Sequence, residues 1–342
     1  MATSFRPLAN LIIRYSIIIG IILVLLLVPL FLQNHYYLRI LVLIGIYVIL
    51  TSSLNLVNGY TGLFSLGHAA FYGIGAYTSA ILVKQAGWPV WGGMILAACV
   101  AGICGYLIAK PTIRLTGIFL TLVTLGFTII VMLILLNWTS LTKGPLGIAG
   151  VPAPSFRGKP FLTPVPYYYL ILILDIVVLF SLSRLAHSRF GRALKAIRED
   201  DAAADMCGVN LAHYKIAAFV IAAAMAGIAG SFYSHYMRYI SPDAFSHLET
   251  FAILTMLAFG GPGNLLGPIV GSVVLISLTE VFRMFADYRM IIYGLLLIFM
   301  MLFRREGLLG GKEYSFVLDW PRRKAKEYAT GDKFLASEEA NE

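Results

Sequence analysis

The sequence predicts an all-α, polytopic integral membrane fold of about ten transmembrane or re-entrant helices, each near the roughly 20 residues that cross a bilayer. Three observations carry this. The chain of 342 residues is 59% hydrophobic and 13% charged, whereas a soluble domain carries about 25% charged residues. Its apolar residues gather in long runs, and its mean hydropathy is +0.83. Its basic residues lie in short loops between those runs, so the net charge of +9 reads as a topology signal and not as a nucleic-acid surface.

The runs fall at about 15–32, 37–57, 65–83, 90–109, 116–136, 166–183, 214–236, 246–260, 264–282 and 289–303, close to span length in bilayer terms. The first follows Arg6 and Arg14 and has no small-residue cleavage site, so it reads as a retained span and not a removed signal peptide. The run at 246–260 is short, which suits a broken or re-entrant helix. With the N-terminus in the cytoplasm and the sides alternating, most of the 26 Lys and Arg residues fall on the cytoplasmic side, as the positive-inside bias requires. That orientation makes 137–165 an external loop, rich in Gly and Pro. It makes 184–213 a cytoplasmic loop and puts the C-terminus in the cytoplasm as well. Residues 1–310 then form the transmembrane domain and 311–342 a cytoplasmic tail, whose Arg322, Arg323, Lys324 and Lys326 precede an acidic end.

Two runs are interrupted. NGYTGLFSLGHAAFYGIGAYTSA, residues 58–80, brings Gly59, Gly62, Ser65, Gly67, His68, Gly73 and Gly75 together; GGPGNLLGPIVGS, residues 260–272, opens with Gly260, Gly261, Gly263 and Asn264. Broken helices are tolerated in lipid only beside protein or a water-filled cavity, and paired interruptions point to a transport pathway. Close helix packing by small residues is the other reading. Asp175, in YYYLILILDIVVLF, is either a proton relay or a hydrogen-bonded contact between helices. His68 is either a pathway group or a bond across a tight helix crossing. Glu249 and Glu280 lie near span ends and are read as solvated.

Enzyme chemistry finds no foothold. The pair Gly311 and Lys312 is followed by Glu313 and lacks the spaced glycine and hydroxyl of a P-loop, and there is no HExxH, paired CxxC or GxSxG. Cys99, Cys104 and Cys207 lack metal-ligand spacing and read as packing residues.

The stretch 184–215, RLAHSRFGRALKAIREDDAAADMCGVNLAHYK, is a charged, helix-compatible island in an otherwise apolar chain. Arg184, Arg189, Arg192, Lys195 and Arg198 come first, then Glu199, Asp200, Asp201 and Asp205, then Gly208. Acids, alanines and a closing glycine read as a short helix with acids in its first turns and Gly at its end. An element of this length exceeds what a topology signal needs and suits a soluble partner.

Five blocks in order resemble the LivM-type permease subunits of branched-chain amino acid ABC importers: NLVNGYTGLFSLGHAAFYGIGAYTSA, SRFGRALKAIREDDAAADMCGVN, YKIAAFVIAAAMAGIAGSFY, FGGPGNLLGPIVG and YGLLLIFMMLFRREGLLG. KGPLGIAGVP is similar to the family's external Gly-rich loop, with Lys143 where a small residue is common. The resemblance implies a non-catalytic transport subunit of the inner membrane, forming half of a translocation pathway. It implies a LivH-type permease, two ABC ATPase subunits and an external substrate-binding protein as partners, with ATP and magnesium on the ATPases and no cofactor on this chain. It also implies a coupling helix at residues 192–208, with Arg192, Arg198, Glu199, Asp200, Ala203, Ala204 and Gly208 as the docking positions. A urea or short-amide importer permease is the nearest alternative, and a proton-coupled transporter using Asp175 or a membrane scaffold are alternatives of other classes.

Overall fold

The computed structural model describes residues 34–115, 117–156 and 159–281, with residue 20, residues 23–29, and positions 291, 294, 295, 298, 302 and 307–309. The runs at 15–32 and 289–303 are therefore described only in part, and the tail at 311–342 lies outside the described residues. Among the described residues the chain is built of helices: α1 His35–Asn55, α2 His68–Gln85, α3 Val90–Thr112, α4 Ile118–Asn137, α5 Pro164–His187, α6 Arg189–Glu199, α7 Asp201–Met206, α8 Leu211–Met237, α9 His247–Gly260 and α10 Leu266–Val281. Helix α1 runs on through a π-helical turn, Leu56–Tyr60. Helices α1 with that turn, α3, α4, α5 and α8 are long and apolar enough to cross a membrane, and α9 and α10 are shorter apolar helices. The molecule is thus a polytopic membrane protein whose helices follow the apolar runs of its sequence.

Three sequence expectations are modified. The run at 65–83 begins as helix only at His68, because residues 62–67 are non-helical. The loop at 137–165 is not wholly irregular. It contains a helical turn, Thr139–Thr142, a 3-10 turn, Gly144–Leu146, and two short strand pairings. In one of these Ile148 and Ala149 pair antiparallel with Ile240 and Tyr239, so the all-α class carries small β elements at that end. Asp175 meets Gly45 of α1, where a Cβ would lie 2.8 Å from its Oδ2, yet its Oδ1 is buried with no hydrogen-bond partner among the described residues. Toward Gly45 the contact is made by packing, since glycine offers no side chain to donate a hydrogen bond.

The centre of the bundle is α2, α3 and α8, drawn together by small residues. Helices packing in lipid gain little from apolar burial against one another, so close backbone approach has to supply the attraction. Gly75 of α2 faces the Gly227 backbone of α8, Gly230 of α8 faces the Tyr72 carbonyl of α2, and Gly105 of α3 faces Ala223 of α8. Around these seams lie Ala76, Ala80, Ala97, Ala101, Ala222 and Ala226, all fully buried or nearly so.

One end of this core is tied off by a polar chain. Ser231 donates to Ser79 Oγ at 2.8 Å, Ser79 meets His235 Nε2 at 2.8 Å, and His235 Nδ1 meets the Pro152 carbonyl at 2.8 Å. Donation from Nδ1 to that carbonyl leaves Nε2 as the acceptor for Ser79, so each buried group is satisfied. The chain fastens the 147–154 segment and its strand partner Tyr239–Ile240 to α2 and α8. The glycine breaks lie at the opposite end.

The seam sets a contrast between two glycines of the same core. A methyl at Gly230 would overlap the Tyr72 carbonyl, whereas at Gly102 of α3 it would meet nothing nearer than 3.6 Å. Gly230→Ala is expected to destabilise the protein by about 1–3 kcal/mol through overpacking, and Gly102→Ala to be neutral or stabilising by up to about 1 kcal/mol through helix propensity. Thermal unfolding of the purified variants in detergent measures both.

Candidate functional site: a three-way junction at the helix breaks

The π turn Leu56–Tyr60 ends α1, and a helix end leaves its last carbonyls without intrahelical partners. Val57 O is taken by the Thr61 hydroxyl and by Leu63 N at 3.3 Å. Gly59 O is taken by a charge from elsewhere in the chain: Arg198 Nη1 donates to it at 2.8 Å. Lys195, one turn earlier on α6, stands 5.9 Å from the centre of the Tyr60 ring. Two cations therefore cover the C-terminal end of α1, where the helix dipole is negative.

The second break is bound to the first through Asn55. Its Oδ1 accepts from Gly263 N at 2.8 Å and its Nδ2 donates to Asn264 O at 2.8 Å. A side chain at Gly59 would strike Asn55 Oδ1 and lie 2.5 Å from Gly263 N, so glycine at 59 leaves the passage Asn55 uses. Gly263, at φ 84, takes the left-handed conformation that the turn out of α9 requires, and a Cβ there would overlap Arg198 Nη1. Asn264 also donates to Leu309 O at 3.2 Å, while Leu308 N and Leu309 N bond to Phe259 O and Gly260 O at 2.9 and 3.1 Å. The free carbonyls ending α9 are thus closed by a distant part of the chain.

The non-helical segment before α2 is satisfied from α4. Thr121 Oγ1 donates to Phe64 O at 2.9 Å, Thr124 Oγ1 accepts from Leu66 N at 2.9 Å, and Thr128 Oγ1 donates to Leu66 O at 2.9 Å. These threonines are spaced three and four residues apart, so they share one face of α4. Asn58 adds a bond from Ser65 N to its Oδ1 at 3.2 Å. Irregular backbone among apolar helices is held in this way by side-chain hydrogen bonds, as a low-dielectric surrounding demands.

The sequence-predicted residues separate on this frame. Gly59, Gly62, Gly263 and Asn264 meet at the junction with Arg198. Gly260 and Gly261 pack against Gly267 at the turn between α9 and α10. Ser65 and Gly67 lie in the threonine-held segment, and His68 Nε2 meets Ser53 Oγ at 2.7 Å, a bond across the α1 and α2 crossing. Gly73 packs on Phe245 and Gly75 on Gly227. Glu249 accepts from Tyr47 at 2.5 Å and Glu280 from Tyr36; both are partnered and not simply solvated.

The charged island forms two helices. Ser188 caps α6, accepting from Phe190 N and Gly191 N at 3.1 and 3.4 Å. Asp200, in extended conformation, breaks the run and caps α7, accepting from Ala202 N and Ala203 N at 2.8 and 3.1 Å. Gly208 follows α7 at φ 80, and its N bonds to Asp205 O at 2.8 Å, as the sequence pattern foresaw. Lys215, 4% exposed, pairs with Asp201 at 2.6 Å and fixes α7 to the first turn of α8. Arg192, Arg198, Glu199, Asp200, Ala203 and Gly208 are exposed, but Ala204 is buried. Of the expected docking positions, Ala204 thus faces the fold instead of solvent, because it lies on the inner side of α7. Met206, 90% exposed, supplies the apolar point of this surface.

Sequence reading missed Asn55, the α4 threonines and the Lys215 pair. A signal for Asn55 was present: an amide in an apolar run, one helical turn before a glycine.

Residues 36–301 match the family described as branched-chain amino acid transport system / permease component. The chain is 37% identical to the high-affinity branched-chain amino acid transport system permease protein LivM of Salmonella typhimurium, over 77% of this chain and 68% of that protein. It is 26% identical to the LivH permease protein of Escherichia coli, over 79% and 93%, and to a probable LivM of Methanocaldococcus jannaschii, over 80% and 93%. No solved structure matches the chain significantly.

Asn55→Ala strips the partners from Gly263 N–H and Asn264 C=O, both within the junction. Each buried group left unpaired costs about 1–3 kcal/mol. A lowered thermal midpoint, with faster proteolysis within residues 260–264, is the expected outcome in detergent-purified protein.

Proposed function

The chain belongs to the branched-chain amino acid transport system permease family, and from that membership we propose that it forms half of the translocation pathway of an ATP-driven importer of branched-chain amino acids. The observation that carries the reading is the extent of the match, which takes in both helix breaks and the charged island. Likeness to both LivM and LivH proteins supports pairing with a second permease. Two ATPase subunits and an external binding protein complete the proposed assembly. ATP hydrolysis belongs to the ATPases, with magnesium, and this chain is a non-catalytic subunit of the inner membrane.

In this reading residues 1–310 are the transmembrane domain, with about ten crossing or re-entrant helices and both termini in the cytoplasm. The tail 311–342 follows it. The junction end is cytoplasmic and the Pro152 end external. The exposed surface of α6 and α7, with Arg192, Glu199, Asp200, Ala203, Met206 and Gly208, docks on an ATPase. The capped, ion-paired α7 is stiff enough to act as a lever, and rigid-body motion of the helices opens the pathway to alternate sides. Residues near the breaks, among them Ser65, Gly67, His68, Gly260 and Gly261, line its inner part.

The test is uptake of leucine, isoleucine, valine and urea by proteoliposomes holding the whole complex. ATP-dependent uptake of the three amino acids is expected. Uptake of urea alone would favour the amide importer, and uptake by this chain alone on a pH gradient would refute the assembly. Glu199→Lys, at an exposed position beside the cap of α7, is expected to lower uptake about tenfold by reversing the charge at the docking surface, while membrane insertion is unchanged.

A further inference from the structure

We propose that Arg198 is a positioning residue that carries movement of α6 and α7 into both glycine breaks at once. The inference rests on the ATP-driven reading and adds the route by which force enters the membrane domain. Its ground is that one side chain meets three glycines belonging to the two breaks. The guanidinium is bonded to Gly59 O at 2.8 Å. Its Nη1 fills the place of a Gly263 side chain, and its Cγ lies 3.1 Å from where a Gly62 Cβ would be.

Gly263 leaves the room that the guanidinium occupies, and Gly62 lies against the aliphatic stem of the same side chain. Arg198 is the penultimate residue of α6, two positions before Asp200 caps α7, so its backbone must follow any displacement of that cap. Asn55 joins the same two breaks from the other side through Gly263 and Asn264. A pull on Arg198 therefore acts on the end of α1 and on the turn before α10 together, and not on a single loop. The exposed part of the side chain stays beside Glu199 and Asp200, at the surface where the ATPase is proposed to dock. A charge-assisted bond to a carbonyl is strong enough to transmit such a pull and weak enough to exchange during a transport cycle.

The experiment compares ATP hydrolysis with leucine uptake in proteoliposomes holding the full complex. Arg198→Gln is expected to keep hydrolysis within about twofold of the unsubstituted complex while leucine moved per ATP falls about tenfold or more, the worth of a hydrogen bond to a charged group. Arg198→Lys keeps the charge and one donor, and is expected to restore part of the ratio, a rescue that a purely space-filling role would not give. Gly62→Ala and Gly87→Ala separate contact from backbone strain. The two glycines have nearly the same φ, 70 and 68, but only the first has Arg198 beside it. Gly62→Ala is expected to lower the ratio as Arg198→Gln does, and Gly87→Ala to leave it unchanged.

The proposal is overturned if Arg198→Gln preserves the ratio, or if hydrolysis and uptake fall together in both Arg198 variants. It is also overturned if Gly62→Ala and Gly87→Ala behave alike, and this comparison decides the matter if Arg198→Gln fails to assemble. An unsubstituted complex that takes up no leucine on ATP refutes the underlying transport reading, and that failure is seen before any variant is compared.

Discussion

Peptide groups freed where a helix breaks must find hydrogen bonds inside the protein, because an apolar surrounding supplies none. This constraint governs the end of the bundle where α1 and α9 both stop. Asn55 meets it for the turn after α9, binding one backbone donor and one acceptor with the two ends of a single amide. Arg198 meets it for the carbonyl of Gly59. The threonine face of α4 meets it for the segment leading into α2. Remove any of these and polar backbone is left buried and unpaired, which is why glycine-rich sequence there is compatible with a defined structure.

The same constraint explains why a charged element is built into the membrane domain. The end of a long apolar helix carries negative partial charge, and α6 brings Arg198 and Lys195 over it. Helix α7 is then held by a cap at Asp200 and by the pair between Lys215 and Asp201. Lys215 is nearly buried while its partner is partly exposed. Loss of the aspartate would leave the lysine charge without its partner, so the pair fixes position more than it adds stability. The opposite end of the molecule is organised by neutral groups, the chain from Ser231 through His235 to Pro152. One end is thus tied by charge to a surface element and the other by neutral bonds to a folded loop.

Much of this was legible in the sequence. The apolar runs marked the helices, since length and hydropathy alone define a span. Acids, alanines and Gly208 marked α7, since caps and left-handed ends have local chemical signatures. The two glycine-rich stretches read either as breaks or as close helix packing. Their convergence on Arg198 was not legible, because a bond between residues 59 and 198 depends on how α1 and α6 pack and leaves no mark in local pattern. Asn55 was passed over for a related reason. A lone amide in an apolar run shows its importance only when its partners, 208 and 209 residues away, are known. The glycines divide along the same line. Composition grouped Gly59, Gly62, Gly73 and Gly75 together, while packing assigns the first two to the junction, Gly73 to a contact with Phe245 and Gly75 to the seam with α8. Ala204 looked like its neighbours Ala202 and Ala203, and only the turn of α7 buries it.

The central claim is that Asn55 and Arg198, which do not belong to one local motif, hold a single junction through Gly59 and Gly263. A double-mutant cycle on Asn55→Ala and Arg198→Ala tests it most directly, with unfolding free energies measured in mixed micelles. Independent sites add to within about 0.3–0.5 kcal/mol, whereas residues in one network do not. A shared junction requires the double variant to lose clearly less than the sum of the two single losses. Additive losses would contradict it and would reduce the convergence at Gly263 to proximity without coupling.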